Sequence, residues 1–520
     1  MRAARNIFYS IYGGGERSKI IDDILQHLDF HALSITLLAT TASNNMWSYD
    51  RLAKEWDKRR TRVLQMDQNE SLAATVELSL ASRTFRKLGP NARDLLGVVA
   101  FFPQGIDEKN LYWLFPAISH RKDVFDKFCV LSLTFRNHGF ITMLAPIRDY
   151  FCPQNPKSSP LLCATKDHYF TRLSVGLDPH DPKFGESRWI VSEDVNIEHL
   201  LDTFISIDMN APDIWDACVH FIRHLHWQQP RYTILRSKIE GLPDGHPSKA
   251  EGLFWLSRLF VTVGNHAQAK QYLIYTLELY RAGWDNSHIA RTLVSLSCTN
   301  RYLGFLREGI QQAEEALTMY TQLGNTTGQV ACLDSLAELL LGDNQLDAAE
   351  GVVFRKIDLL PEENQQFPEN GRRFELCRSH RSLGDIYCSK GEKEKAISHY
   401  KIAVSIASPC DWQTELFGVY YSMAKLFYHD HEFCDANAYI KQAKSHTADS
   451  AYNLGWAMRL QAQIWCQQHR LGDAKSEALG ALELYERLGA AEDAKLCREL
   501  LRWIEEARRS RKSGKSDSIN

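Results

Sequence analysis

The feature that most constrains this chain is a recurring pair of small residues in its C-terminal half. In most copies a small residue follows an apolar one, and in every copy a second small residue lies twelve positions after the first. An aromatic or apolar residue comes three positions after the first small one. The clearest copy contains Gly384, Tyr387 and Ala396. Small residues at this spacing let two helices cross closely, so each copy predicts a helical hairpin and the series predicts a solenoid.

Six copies of the pattern occur, and their first small residues are 40, 40, 47, 40 and 38 positions apart. These residues are Ser257, Ser297, Ala337, Gly384, Ala424 and Ala462. The pattern resembles the tetratricopeptide repeat, whose basic period is about 34 residues. The resemblance implies a right-handed α-solenoid over residues 249–507 that ends in a capping helix. The longest step falls at a polar run containing Pro361 and Pro368, which predicts a loop.

Composition excludes several classes of function. The 520 residues are too many for one hydrophobic core, and the 61 basic and 64 acidic residues nearly cancel. No net field therefore favours nucleic acid or an anionic membrane, and we expect neither as a partner. The longest apolar stretches are about half the roughly 20 residues that span a bilayer. Twelve scattered cysteines without a CxxC pair indicate buried thiols in a reducing compartment, so the predicted location is cytoplasmic.

The N-terminal half has a different order of elements. Helices are predicted up to about Phe115, followed by a short β-hairpin around residues 137–139 and a further helix near Pro146. That order is typical of a winged helix. The segments LGPNARDLLGVVAFFP and MLAPIRDYF resemble the winged-helix region of STAND nucleotide switches of the NB-ARC and NACHT type. The resemblance is closest to the large fungal members that end in tetratricopeptide arrays.

The resemblance also divides the chain. Upstream, ARNIFYSIYG and LDFHALSITLLAT are similar to the helical subdomain that follows the ATPase core in that family. The implied domains are a helical subdomain at 1–75, a winged helix at 76–160, a helical linker at 161–248, the repeats at 249–507 and a disordered basic tail at 508–520. Trp189, Glu193 and Asn196 in the linker match a W…E..N pattern of STAND regulators. The predicted fold class is all-α with one small hairpin.

Catalytic machinery is missing from the sequence. No GxxxxGK[ST] phosphate loop occurs, so we expect no nucleotide hydrolysis, and no GxSxG elbow indicates a nucleophile. His220 and His224 are four residues apart but lack a third metal ligand. We therefore predict a non-enzyme without cofactor or metal. The alternative is the C-terminal part of a nucleotide-dependent STAND switch whose phosphate-loop core lies upstream or on another chain.

The predicted function is a protein-interaction scaffold or sensor module that binds a protein or peptide in the solenoid groove. In tetratricopeptide folds the first helix of each repeat lines the groove, and the family's positional offsets select a set of candidate partner-binding residues. They are Arg258, Arg301, Arg378, Arg381, Tyr421, Lys425, Tyr428 and Arg459. Asp334, Glu338 and Asp385 interrupt the cations. Forked guanidinium groups suit carboxylates, so the hypothesis is an acidic or carboxylate-terminated peptide, with ordinary solvated charges as the alternative.

Overall fold

The structure is a computed structural model in which most of the chain is described. The described residues are 2–13, 18–28, 30, 32–63, 70–153, 155–177, 184–228, 233–283, 285–360, 369–410, 412–447 and 450–514. They form two compact units, one of residues 1–177 and 181–218 and the other of residues 178–180 and 219–520. Within the described residues the elements are helices apart from three short strands, which confirms the predicted all-α class.

The first unit begins with a group of five helices, which we call the helical subdomain. Its helices are α1 (Arg2–Tyr12), α2 (Lys19–His27), α3 (Ala32–Asn44), α4 (Tyr49–Val63) and α5 (Glu70–Leu80). Helix α3 is apolar almost all round, and α1 and α5 both pack on it. Phe8, Leu25 and Leu38 are fully buried at the centre of this subdomain. Arg5 donates to both carboxylate oxygens of Asp22, at 2.6 and 2.7 Å, and so joins α1 to α2.

A small sheet follows in the same unit. The elements are α6 (Arg83–Arg86), α7 (Ala92–Phe101), β1 (Ile106–Asp107), α8 (Leu111–Leu114), α9 (Arg121–Val130), β2 (Phe135–Asn137), β3 (Phe140–Thr142) and α10 (Ala145–Phe151). The three strands are antiparallel in the order β1-β3-β2, and Ile141 pairs with both Ile106 and Arg136. The predicted hairpin is present, with His138 and Gly139 at positive φ in its turn, which suits a type I′ turn. The winged-helix assignment itself stays a prediction.

Four helices follow the sheet. They are α11 (Pro160–Leu173), α12 (Trp189–Ile207), α13 (Pro212–Gln228) and α14 (Leu235–Glu240). Ser159 begins α11 by accepting a hydrogen bond from the Leu162 backbone amide at 3.2 Å, and Pro160 occupies the first helical position, where its missing N–H is tolerated. Helix α12 buries ten of its residues, including the charged Glu193. A helical linker region was predicted here from an apolar stripe.

The second unit contains the predicted repeats. Its helices are α15 (Pro247–Thr262), α16 (His266–Gly283), α17 (Asn286–Tyr302), α18 (Leu306–Gln322), α19 (Thr326–Gly342), α20 (Leu346–Leu359), α21 (Glu369–Ser389), α22 (Lys393–Ala407), α23 (Gln413–His429), α24 (Phe433–Ser445), α25 (Ala451–Gln467), α26 (Leu471–Leu488) and α27 (Ala491–Gly514). Each odd-numbered helix from α15 to α25 forms a hairpin with the helix that follows it. The odd-numbered members are called first helices below.

The predicted repeat register is confirmed. All six first small residues are buried, one in each first helix, and the predicted second small residues Ala269, Ala349, Ala396, Ala436 and Ala474 are fully buried in the partner helices. Seven positions after each first small residue the chain turns with positive φ. These turn residues are Gly264, Gly304, Asn344, Gly391, His431 and His469. Glycine adopts this left-handed conformation easily, and asparagine more readily than most residues, but the two histidines were not predicted.

Gly384 lies at the tightest crossing of the fourth repeat. A Cβ atom there would be 2.6 Å from Cδ1 of Tyr400, whose ring is 1% exposed and whose hydroxyl donates to Asp385 at 2.7 Å. The ring has no room to move, so Gly384→Leu should lower the free energy of unfolding by about 1 to 3 kcal/mol. Chemical denaturation followed by circular dichroism measures this loss.

Gly351 provides the matched control. It is exposed on α20, and a Cβ there would meet nothing within 4 Å. Gly351→Leu should therefore leave stability unchanged or raise it slightly, because leucine has a higher helix propensity than glycine. Equal stability of the two variants would contradict the close crossing at Gly384.

The C-terminal tail differs from the prediction. Residues 508–520 were expected to be disordered, but α27 continues to Gly514. Arginine, lysine and serine do not break a helix, and the acidic residues at 505 and 506 precede the basic run at favourable helical spacing. Residues 515–520 and the loop predicted at Pro361 and Pro368 lie outside the described residues.

Three sequence-based exclusions can be compared with the described residues. None of the helices there is both long and apolar enough to cross a lipid bilayer. In the same ranges, no group of three histidine, cysteine, aspartate or glutamate side chains is placed to hold a metal ion. All twelve cysteines are free thiols, and burial raises the pKa of Cys332 and Cys377 to about 12, which makes these two poor nucleophiles.

Candidate functional site

All eight predicted partner-binding residues lie on first helices. Arg258 is on α15, Arg301 on α17 and Arg459 on α25, whereas the remaining five lie on α21 and α23. Successive first helices contact each other directly, so together they present one continuous face, called the inner face here. Seven of the eight side chains are half-buried on it, and only Lys425 is exposed. The offsets taken from the repeat register therefore select side chains of one surface.

Most of the inner-face arginines are paired within the chain. Five arginine–carboxylate pairs form a set that we call the inner ladder. Four of them connect one first helix to the next, and the fifth connects α25 to α27. Its pairs are Arg291–Glu251, Arg301–Glu338, Arg378–Asp334, Arg381–Glu415 and Arg459–Asp493. The N–O distances for Arg301, Arg381 and Arg459 are all 3.1 Å. Three of the six predicted cations therefore link neighbouring repeats, and a fourth, Arg459, links the last repeat to α27.

The middle of the inner ladder contains a buried network around Lys356. This lysine comes from α20, is 1% exposed, and contacts both Asp334 and Glu375, the latter at 2.7 Å. Arg378 completes the network at 2.5 Å from Asp334. Burial alone would raise the pKa of Asp334, but the charges of Arg378 and Lys356 outweigh it and hold this pKa well below its usual value. The sequence predicted none of these pairings, since Lys356 lies on a second helix.

Arg258 differs from the ladder arginines. Among the described residues no carboxylate pairs with its guanidinium group, although the side chain is half-buried. Burial lowers the pKa of Arg258, and the charges of Arg378 and Arg291 lower it further. Arg258 is therefore a half-buried inner-face arginine whose charge is not balanced by a described carboxylate.

The first and last repeats meet in the second unit. Gly264, in the turn after α15, approaches the ring of Tyr452 and the side chain of Ala490 so closely that a Cβ would lie 2.9 to 3.0 Å from both. Tyr452 donates a hydrogen bond to Asp493 at 2.7 Å. Burial lowers the pKa of His266, and the nearby negative charge of Asp493 acts in the opposite direction. These contacts bring α15 and α16 against the end of the array. The first repeat is therefore in contact with the end of the array.

The step from α23 to α25 is bridged by aromatic side chains instead of a carboxylate. Tyr421 stacks on Phe417 at 5.7 Å between ring centroids and lies 6.0 Å from Trp456. Burial raises the pKa of Tyr421. The positive charge of Arg459 and a hydrogen bond with it lower this pKa, but by less than burial raises it. Tyr428 packs at the other end of α23 beside Phe433. Aromatic rings thus lie near Arg459 on this face.

The linker pattern singled out in the sequence forms a buried polar network in the first unit. Glu193, which is fully buried, accepts hydrogen bonds from Asn110 at 2.7 Å, Asn196 at 2.6 Å and Tyr169 at 3.0 Å. Asn196 also donates to the Gly105 carbonyl at 2.9 Å and accepts from the backbone amide of residue 104 at 3.0 Å. The network joins α12 to α11 and to the residues around β1. Its role is to hold this unit together.

Comparison with known proteins leaves the family open. No protein-family model matches the chain, and no curated protein matches it. Among solved structures it is similar to a STAND signal transduction ATPase with a tetratricopeptide repeat sensor from Pyrococcus horikoshii, at 12% identity and TM-score 0.49, covering 92% of this chain and 74% of that one.

Two further similar structures are a Rap protein complexed with competence and sporulation factor and the protein NprR in complex with its cognate peptide NprX. The Rap protein is 12% identical with TM-score 0.43, over 66% of this chain and 96% of that one. NprR is 13% identical with TM-score 0.43, over 66% of this chain and 98% of that one. Identities this low leave the assignment of function to the geometry of the site itself.

Proposed function

We propose that the second unit is a protein-interaction module that binds an acidic peptide segment in the groove enclosed by the inner face. The observation that carries the proposal is Arg258, a half-buried guanidinium group without a carboxylate partner among the described residues. Among the described residues the ladder arginines are paired within the protein, whereas the half-buried charge of Arg258 is not balanced by a carboxylate. A carboxylate of the partner, from a side chain or a C-terminus, would balance this charge.

The inner ladder defines what else the groove can recognise. Its pairs are already balanced, so they present alternating charges to a ligand and do not create a strongly basic field. Peptide backbone groups can bond to such pairs without breaking them, and Tyr421 and Tyr428 supply flat apolar contacts. The proposed ligand is therefore a peptide with one well-placed carboxylate, and a uniformly acidic sequence is not required.

The test is a peptide selection followed by affinity measurement. A random peptide library is selected on the wild-type chain, and the dissociation constants of the selected peptides are measured for wild type and Arg258→Gln. A hydrogen bond to a charged group contributes about 1.5 to 3 kcal/mol, so Arg258→Gln should weaken binding about 10- to 100-fold. Binding should also weaken as salt screens the groove.

A matched arginine on the outside controls for non-specific charge. Arg307 is exposed on the second helix α18, and Arg307→Gln should leave the affinity unchanged. Circular dichroism melts establish that both variants are folded. Selection of no peptide at all would refute the groove proposal, and equal affinity of wild type and Arg258→Gln would refute the carboxylate anchor.

A further inference from the structure

A basic cavity lies in the helical subdomain of the first unit, far in sequence from the repeats. It has a volume of about 400 Å³ and is lined by the end of α3, the first turns of α4 and the short helix α6. The lining residues are Asn45, Trp47, Arg51, Glu55, Ala81, Arg83, Arg86 and Lys87. Four cationic side chains thus face one carboxylate. We call this cavity the basic pocket.

The cations of the basic pocket have no carboxylate partners among the described residues. Arg51, Arg83, Arg86 and Lys87 are exposed, and none of them makes an ion pair there. The arginines of the inner ladder, by contrast, are each paired with a carboxylate. Four like charges around one cavity repel each other, and that repulsion is relieved when an anion enters. The basic pocket is therefore complementary to a compact, multiply charged anion.

The walls of the basic pocket are held in place by hydrogen bonds. The Asn45 side-chain oxygen accepts from the Arg83 backbone amide at 3.0 Å, and its nitrogen donates to the Thr41 carbonyl at 2.7 Å. Trp47 is 6% exposed, and its carbonyl accepts from the Tyr12 hydroxyl at 2.6 Å. Arg51 lies over the Trp47 ring at 5.9 Å. The backbone positions of the cations are thus fixed before any ligand arrives.

We propose that the basic pocket binds a small phosphorylated molecule carrying more than one phosphate group. Guanidinium forks match phosphate oxygens in a bidentate manner, and Lys87 adds a point charge. The volume lies within the range of about 300 to 1,000 Å³ that is typical of small-molecule sites. A concave site of this size holds a small molecule more readily than the backbone of a nucleic acid, which needs an extended basic groove.

The probe for this proposal is inorganic tripolyphosphate. Calorimetry of the full chain at physiological salt should show saturable binding with one site per chain. Arg83→Gln combined with Arg86→Gln should weaken binding at least about tenfold, because each substitution removes a charged hydrogen-bond donor. Both residues are exposed, so folding should be unaffected.

The controls separate this site from the groove and from membranes. Arg307→Gln combined with Lys401→Gln removes the same charge from exposed positions in the repeats and should leave tripolyphosphate binding unchanged. Arg258→Gln should also leave it unchanged, so the groove proposal can fail without this one. No saturable binding, or equal binding by the Arg83, Arg86 double variant, would overturn the site. Flotation of the protein with phosphoinositide vesicles, in the absence of tripolyphosphate binding, would overturn the assignment to a free small molecule.

Discussion

Replacing Glu193 with alanine should destabilise the first unit by roughly 3 kcal/mol or more. The carboxylate accepts three hydrogen bonds in a site with no solvent access, and each buried donor left without an acceptor costs about 1 to 3 kcal/mol. Burial raises the pKa of Glu193, while the three donors act in the opposite direction and favour the charged form. Removing the carboxylate therefore leaves Asn110, Asn196 and Tyr169 with unmet donors.

Tryptophan fluorescence reports this unfolding directly. The ring centroids of Trp113 and Trp189 are 5.1 Å apart beside the network. The Trp113 indole nitrogen donates a hydrogen bond to Asn110 at 2.9 Å. Glu193→Gln should have an intermediate effect, since it keeps the volume but offers one acceptor oxygen instead of two. Asp23→Ala, at an exposed position of α2, is the control and should melt like wild type. If Glu193→Ala also melts like wild type, the network does not stabilise the unit.

Replacing Lys356 with methionine should destabilise the second unit by about 3 to 5 kcal/mol. Methionine preserves most of the side-chain volume but removes the charge that compensates Asp334 and Glu375. Breaking a buried ion pair from one side costs this much because the remaining charge is left without a partner in a desolvated site. Arg378 still contacts Asp334 at 2.5 Å but reaches Glu375 only at 3.9 Å, so Glu375 loses most of its charge compensation.

A second substitution identifies the origin of the effect. Glu375→Gln added to Lys356→Met should restore part of the lost stability, because the uncompensated carboxylate is then neutral. Lys401→Met, at an exposed position of α22, is the matched control and should change little. Urea denaturation followed by circular dichroism measures all four proteins. A Lys356→Met loss no larger than that of Lys401→Met would mean that the buried charges do not interact as the contacts indicate.

The repeat register was predictable because it depends on the side-chain volume of the residues where the two helices of a repeat cross. Gly384 and Ala396 must be small for two helices to cross, and that requirement is visible in any one copy of the pattern. The hairpin near residues 137–139 was also predictable from a short segment, and its turn has positive φ at His138 and Gly139. The prediction that the last helix ends at residue 507 was wrong, because charged residues at a chain end are compatible with both a helix and a disordered tail.

Charge pairing could not be predicted in the same way. Arg301 and Glu338 are on different first helices, and whether they pair depends on side-chain positions that only packing defines. Both residues were predicted on the groove side, but a sequence pattern does not distinguish a cation that faces a ligand from one that faces its own chain. Arg258 was one of six equivalent candidates, and the structure alone distinguishes it.

The sequence by itself determined the fold class, the number of repeats and the residues at their crossings, since each follows from spacing along one short segment. Tertiary structure decided which arginines are balanced by carboxylates and that Lys356 is buried among acids. It also brought Arg51 and Arg83 to one cavity and closed the first repeat onto Tyr452. The physical reason is distance along the chain: burial and ion pairing depend on neighbours supplied by remote segments, and a local pattern carries no information about them.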